Sequence, residues 1–359
     1  MTRPVSWLEL DLRAFAHNVD EVRRLTGGRP RLLQVCKGEG YGLGLERVME
    51  LGLAAGVDGF CVGDPSEALR ARARAPTAQI LLFASTLPED LPDLCARGID
   101  VTISNPAALN AICGSGVRCN FFFEVDVGFG RFGVPRDEWN ACLRTYTRQS
   151  SAGCLGVYAH IGHSEEPLLT RRLARFDEFV VAMRSLVHHD FDTMIASSHT
   201  VLQRPDLPYT AVDPGRLLYG LMHSARVGIR PVLSAIRARI IEVTRPPTDE
   251  PMKIAYGETL SFQAGARLGV FPIGWLAGLS MRPPYGSVVV ENRSVPVVGR
   301  TLLHSIVDLS SVPSATVGSI ATLAGDGYTL EQMAQAQNAS ATELHFKLGR
   351  ALSHVIVDQ

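Results

Sequence analysis

Lysine is nearly missing from this chain. Among 35 basic residues only Lys37, Lys253 and Lys347 are lysines, and arginine fills every other basic position. A GC-rich coding sequence produces such a bias, so each surviving lysine marks a place where an amine is wanted. Cysteine is absent after Cys154: the seven present lie between Cys36 and Cys154, odd in number, with neither CxxC pairs nor metal-ligand spacing. That pattern argues against a disulfide framework or a zinc site and for reduced, mostly buried thiols of a cytoplasmic protein. No apolar run approaches the ~20 residues of a membrane span. The amino terminus enters a strand-like pattern without a signal-peptide core. An excess of either charge is also lacking, since 35 basic residues face 36 acidic ones for a net charge of −1. This removes the electrostatic footprint of nucleic-acid or membrane-surface binding. What remains is an ordinary globular composition, 46% apolar over 359 residues, comfortable for two domains.

Trp7-Leu8-Glu9-Leu10-Asp11-Leu12 alternates like a strand, and residues 12–26 carry an amphipathic helical period. Short apolar runs then recur at 32–36, 60–62, 80–83, 99–103, 121–125, 155–160 and 193–197. Helix-like segments such as 67–73, 107–113 and 169–187 separate them. Near-continuous apolar strands alternating with helices predict a parallel sheet. Units repeating over residues 13–228 fit a (β/α)8 TIM barrel better than a doubly wound open sheet. Beyond residue 228 the texture becomes mainly β. Expected strands lie at 233–243, 317–323 and 352–357, a hairpin at 286–298 turns at 291–293, and helices are confined to 330–337 and 341–347. The expected division is an N-terminal strand at 1–12 packing with the C-terminal domain, a cofactor-binding barrel at 13–228, and a β domain at 229–359.

Lys37 stands in Gln34-Val35-Cys36-Lys37-Gly38-Glu39-Gly40-Tyr41-Gly42, directly after an expected strand. Barrel enzymes present their reacting groups at that end of a strand. An arginine keeps its proton, whereas a lysine can lose one and attack an aldehyde.

Five further segments follow Lys37 and Tyr41 in order. They are Asp126-Val127-Gly128-Phe129-Gly130-Arg131-Phe132-Gly133, Tyr158-Ala159-His160, Ala196-Ser197-Ser198, Asp213-Pro214-Gly215-Arg216-Leu217-Leu218-Tyr219-Gly220 and Ala255-Tyr256-Gly257. Together they resemble the alanine racemase family, the fold-type III enzymes of pyridoxal 5′-phosphate, over almost the whole chain. The resemblance implies that Lys37 carries the cofactor aldehyde. Tyr41, Ser198, Gly215 and Arg216 would bind its phosphate, and His160 would stack on its ring. Arg131 would contact the cofactor phenolate and the substrate carboxylate. It further implies that Tyr256 and Lys37 act as acid and base on opposite faces of the substrate α-carbon. Tyr256 then reaches over from a second subunit, so the active sites of a homodimer are shared. The plain alternatives are a surface lysine, a packed aromatic at Tyr41 or Tyr256, a helix cap at Ser198 and a core histidine at His160.

The chain also departs from the family pattern. Asp213 stands where alanine racemases carry an arginine facing the pyridine nitrogen, and Asp213-Pro214-Gly215-Arg216 resembles the Glu-Pro-Gly-Arg of fold-type III decarboxylases. A carboxylate there would make the ring a stronger electron sink. Glu124, seven residues before Arg131, replaces a lysine that is often modified to a carbamate, and supplies the negative charge directly. Leu303 and His304 replace a Met-Asp pair that helps hold the substrate carboxylate. Trp275 replaces a pocket tyrosine, and the region around Arg350 lacks the usual aromatic and proline pattern. The expected function is a racemase or epimerase for a small amino acid that need not be alanine. A decarboxylase, aldolase or other Cα lyase using Asp213 is the alternative, against which no decarboxylase-type Cys-Asp motif follows Cys154. A cofactor-binding protein without turnover is the third.

Overall fold

The computed structural model describes residues 4–148, 153–162, 165–325 and 327–357. Residues 1–3 of the expected N-terminal segment lie outside them. Two compact units divide the chain. One gathers the described residues of Met1–Ala14, Tyr41–Leu43 and Pro231–Gln359, and the other those of Phe15–Gly40 and Gly44–Arg230.

The first strand, β1 (Ser6–Leu10), belongs to the β-rich unit. The second unit holds eight parallel strands: β2 (Arg31–Val35), β3 (Gly59–Val62), β4 (Ile80–Leu82), β5 (Val101–Ile103), β6 (Asn120–Glu124), β7 (Gly153–Tyr158), β8 (Asp192–Ser197) and β9 (Ala211–Asp213). Their order is β4-β3-β2-β9-β8-β7-β6-β5. The two ends meet in a bridge between Leu81 and Asp100, where Leu82 N donates to Asp100 O at 2.8 Å and Asp100 N to Ile80 O at 2.9 Å. The sheet therefore closes into a barrel rather than an open doubly wound sheet. Its strands are buried on both faces, as in Phe121-Phe122-Phe123, all fully buried. This is why they read as unbroken apolar runs. Asp64 and Asn105 start two of the flanking helices. Each side chain accepts the N–H three residues on, with proline at the first helical position. β9, only three residues long, lies outside the seven apolar runs seen in the sequence.

In the β-rich unit a nine-stranded sheet is built around β10 (Leu233–Arg239). β10 pairs antiparallel with β1, Leu8 opposite Ile236, and with strand Ile320–Ala324. β1 also pairs in parallel with Ser353–Ile356. The expected single strand at 233–243 is two strands, β10 and Glu242–Thr244, because Ile240 and Ile241 turn their N–H groups to Ser319 and Val270. An unbroken apolar run conceals such a change of partner. The hairpin of Ser287–Val290 and Arg293–Arg300 turns at Glu291 and Asn292, with φ of +48° and +63°. Two positive φ values suit the right-handed twist of the paired strands. Helices Leu330–Ala336 and Ala341–Ala351 complete the unit. Among the described residues no helix is long and apolar enough to cross a membrane.

Candidate active site

Where β2 ends, the chain enters a left-handed turn. Gly38, Glu39 and Gly40 have φ of +68°, +57° and +59°, and Tyr41 follows at +58°. Glycine takes this conformation freely, but Glu39 and Tyr41 are strained by roughly 1–2 kcal/mol each. One buried carboxylate holds the turn. Glu67 accepts Glu39 N at 2.7 Å and Gly63 N at 2.9 Å, and is 2% exposed. A Cβ on Gly63 would stand 2.8 Å from the Lys37 Cβ, so only glycine lets β3 end beside this lysine. Sequence reasoning missed Glu67, which looks like a solvated acid in the first turn of a helix.

The Lys37 amine lies 5.9 Å from the Phe83 ring centroid. Burial lowers its pKa first and the Arg131 charge lowers it further, while Asp213, Cys61 and Glu124 oppose that shift. Glu124 ends β6 at 2% exposure and accepts the Tyr158 hydroxyl at 3.0 Å, which itself lies 3.1 Å from Thr102 Oγ1. Burial raises Glu124 to about 7, against the pull of Tyr158 and Arg131. Asp213 ends β9, beside β2, where Val35 N reaches Pro214 O at 3.4 Å. Asp213 keeps some solvent-accessible surface, yet protein surrounds it densely. That enclosure raises it to about 7, with Lys37 acting the other way. His160 is lowered to about 4 by burial and then by Arg131 and Lys37, so it is a neutral imidazole. Its ring meets Phe129 edge-on at 4.7 Å.

Arg131 is carried by a loop that closes on itself through Asp126 N to Val134 O at 3.1 Å and Val134 N to Glu124 O at 2.8 Å. Asp126 Oδ1 accepts Gly128 N and Phe129 N at 2.7 and 3.1 Å. The exposed guanidinium lies against Phe129 and Phe132, 5.2 and 5.3 Å from their centroids. Ser198 follows β8, and its Oγ accepts Gly215 N at 3.0 Å and Leu217 N at 3.2 Å. The Gly215 N–H is thus directed to Ser198 within the protein. Arg216 sits between the two donors, and the Ser198 hydroxyl proton stays available. Thr200 Oγ1, buried nearby in the same helix, has no hydrogen-bond partner among the described residues.

The barrel thus brings together Lys37, Glu124, Arg131, His160, Ser198, Asp213, Gly215 and Arg216, all at or beyond strand C-terminal ends. Tyr41, Tyr256, Leu303 and His304 belong to the other unit. There the Tyr41 ring packs 4.7 Å from Phe346, and its carbonyl accepts His345 Nδ1 at 2.8 Å. Tyr256 is 72% exposed at the tip of a ribbon formed by Met252–Lys253 and Thr259–Leu260. Ile254 anchors that ribbon in a cluster with Phe262, Ala266 and Leu268. Ala255 at φ +51° and the 2.8 Å bond from Gly257 N to Ile254 O make the turn that presents the ring. Leu303 and His304 lie on an exposed turn, where His304 N donates to Thr301 Oγ1 at 3.1 Å.

The barrel set fits pyridoxal phosphate. Lys37 suits its aldehyde, Arg131 an anionic oxygen, Asp213 a ring nitrogen, and Ser198 with the unpartnered Thr200 hydroxyl a phosphate. Two of those donors are buried polar groups with hydrogen-bonding capacity to spare.

Comparison with known proteins agrees. Residues 10–223 match the family profile of the alanine racemase N-terminal domain, and residues 233–356 that of the C-terminal domain. An alanine racemase of Methanococcus maripaludis is 26% identical over 333 residues, 89% of this chain and 88% of its own. The solved alanine racemase of Streptomyces coelicolor A3(2) superposes with a TM-score of 0.87 at 25% identity, covering 99% of this chain and 98% of that one. A Bartonella henselae alanine racemase with covalently bound pyridoxal phosphate shares the fold at TM-score 0.87 and 19% identity, over 99% of this chain and all of that one. With both domain profiles matched in order along nearly its whole length, this chain belongs to the alanine racemase family of pyridoxal-phosphate-dependent isomerases.

Proposed function

We propose that this enzyme interconverts the enantiomers of a small amino acid with Lys37 and Tyr256 as its acid–base pair, the tyrosine supplied by a second copy of the chain. One observation carries this reading. Tyr256 is 72% exposed at the tip of a ribbon whose turn is pinned by the buried Ile254, so its ring is presented outward to a second copy. The reaction needs a base on one face of the α-carbon and an acid on the other. Pyridoxal phosphate, bound through the Lys37 amine, supplies the electron sink that acidifies the α-proton.

The chain's own groups do the rest. Lys37, its proton affinity lowered by burial, takes or returns the α-proton on one face. Tyr256 acts on the other. Arg131 would orient the substrate carboxylate as a two-pronged donor. Glu124 ends β6 at the base of the loop that carries Arg131 and, once ionised, attracts its charge. Ser198 and the Gly215–Arg216 turn would hold the phosphate, and neutral His160 would lie against the ring without adding charge. Asp213, raised to about 7 by burial, would hydrogen-bond with the ring nitrogen. Residues 13–228 thus form the cofactor-binding part and 229–359 the part that completes another subunit's site, which makes the working unit a homodimer. The seven free cysteines support a cytoplasmic location.

The test follows Cα deuterium exchange in D₂O by NMR, with products resolved on a chiral column. Exchange with appearance of the opposite enantiomer is expected. Asp213 favours one second reading, a Cα lyase, and loss of substrate to an amine or aldehyde would establish that instead.

A further inference from the structure

Trp275 and Leu276, 52% and 65% exposed, rim a cavity of about 770 Å³ in the β-rich unit. Leu279 and Leu344, each 1% exposed, form its apolar floor, and Lys347 and Arg350 stand on its wall. The wall is built for closeness. Gly278 has a φ of +103°, and a Cβ there would fall 2.4 Å from the Lys347 Cβ.

Charge is the informative part. Glu343, Lys347 and Arg350 share one face of helix Ala341–Ala351, and Lys347 Nζ pairs with Glu343 at 2.5 Å. That pair cancels. The Arg350 side chain makes no hydrogen bond or ion pair among the described residues. Beneath the floor lies Arg300, 1% exposed. Its guanidinium donates to Ser305 Oγ at 2.9 Å, to Ser280 O at 2.7 Å and to Gln337 Oε1 at 3.0 Å. All three acceptors are neutral, and Ser280 and Gln337 themselves line the cavity. No carboxylate pairs with Arg300 among the described residues. A buried cation without a counter-ion is costly unless an anion arrives. Burial correspondingly lowers its pKa to about 10.

The cavity is joined to the Tyr256 ribbon. Arg300 stacks over the Tyr285 ring at 5.2 Å, and the Cβ position of Gly257 is 3.1 Å from the Tyr285 hydroxyl. The Tyr256 ribbon therefore leans on the Arg300–Tyr285 stack that lies beneath the cavity.

We infer that this cavity receives the distal end of the substrate, and that the substrate class is an α-amino acid whose apolar side chain ends in a carboxylate. Trp275, Leu279 and Leu344 cover the apolar stem, and Arg350, backed by the field of Arg300, takes the distal anion. The inference rests on Tyr256 being a catalytic residue, and its test separates the two.

In the holoenzyme, 2-aminoadipate is compared with norleucine and alanine for Cα deuterium exchange. Binding is read separately from Trp275 fluorescence with 4-phenylbutyrate and its neutral amide. Trp7 and Trp139, 8% and 6% exposed, give little response, and Trp275→Phe verifies the signal. The expected result is a preference of at least about tenfold for the anion in both readouts, the worth of one charge-assisted hydrogen bond. Arg350→Gln should bring both ratios close to one. Equal handling of anion and neutral isostere, or ratios unchanged in Arg350→Gln, overturns the inference. If no amino acid exchanges, alanine included, the Lys37–Tyr256 reading fails. The carboxylate preference in fluorescence then decides the cavity by itself.

Discussion

The Tyr158 hydroxyl donates a 3.0 Å hydrogen bond to Oε2 of Glu124, tying the buried acid at the end of β6 to the neighbouring strand β7. Thr102 Oγ1 lies 3.1 Å from the same hydroxyl and reaches Leu82 O at 2.7 Å, so the acid's orientation is set from β7, β5 and β4. Glu124 is thereby fixed at the base of the loop that carries Arg131.

Burial makes this arrangement pH-sensitive. Without cofactor, Glu124 and Asp213 keep their protons to about 7, whereas in the unfolded chain they lose them at the ordinary 4.5 and 3.8. Between those limits the folded state binds more protons, so stability falls as pH rises. The contribution is complete below about pH 4 and lost above about pH 7. Melting temperatures of the apoprotein should decline across that window, and Glu124→Gln should remove about 1–3 kcal/mol of the dependence. A wild-type melting temperature that rises through the window would refute the argument.

Lys37→Arg keeps the charge but removes the amine that can be deprotonated. It should abolish the visible absorption of lysine-bound cofactor and cut turnover by at least about 10³-fold. Spectra of the reconstituted variant decide this, and a retained band would reassign the anchor.

Tyr256→Phe should leave stability within about 0.5 kcal/mol, because the ring is exposed. Racemisation should fall about 10²–10⁴-fold, with proton exchange persisting from one enantiomer only. Parallel melts and chiral exchange assays test both halves, and symmetric, undiminished exchange would make the tyrosine structural.

Ser198→Ala leaves the N–H groups of Gly215 and Leu217 without their acceptor. The loss should cost about 1–3 kcal/mol in urea unfolding of the apoprotein and weaken cofactor binding as well. Unchanged unfolding would show that water replaces the hydroxyl.

Glu67 supports the lysine turn rather than the reaction. Glu67→Gln should therefore shift cofactor affinity more than the isotope-exchange ratio of the two enantiomers. Equilibrium binding set against exchange measures the difference, and an effect on the ratio alone would contradict a positioning role.

Much of the barrel was legible because a strand buried on both faces needs continuous apolar side chains, as in Phe121-Phe122-Phe123. β9 was not, since Ala211-Val212-Asp213 is too short to carry a period. The two strands within residues 233–243 merged for a related reason: a change of hydrogen-bonding partner leaves no mark on hydrophobicity. In the site, Lys37 stood out by its rarity and its glycine company. Glu67 did not, because its acceptor role depends on two N–H groups brought together by the ends of β2 and β3.

By itself the sequence determined which chemistries were possible: one amine after a strand, an arginine in a glycine-rich loop, acids at 124 and 213, and a tyrosine between an alanine and a glycine. Those are properties of residue type and local order. Tertiary structure decided protonation and partnership, because desolvation and charge depend on groups distant in the chain. It raised Glu124 and Asp213 to about 7 and lowered Lys37. It also set Arg300, one arginine among many, beneath a cavity where its acceptors among the described residues are all neutral, a circumstance that no local pattern encodes.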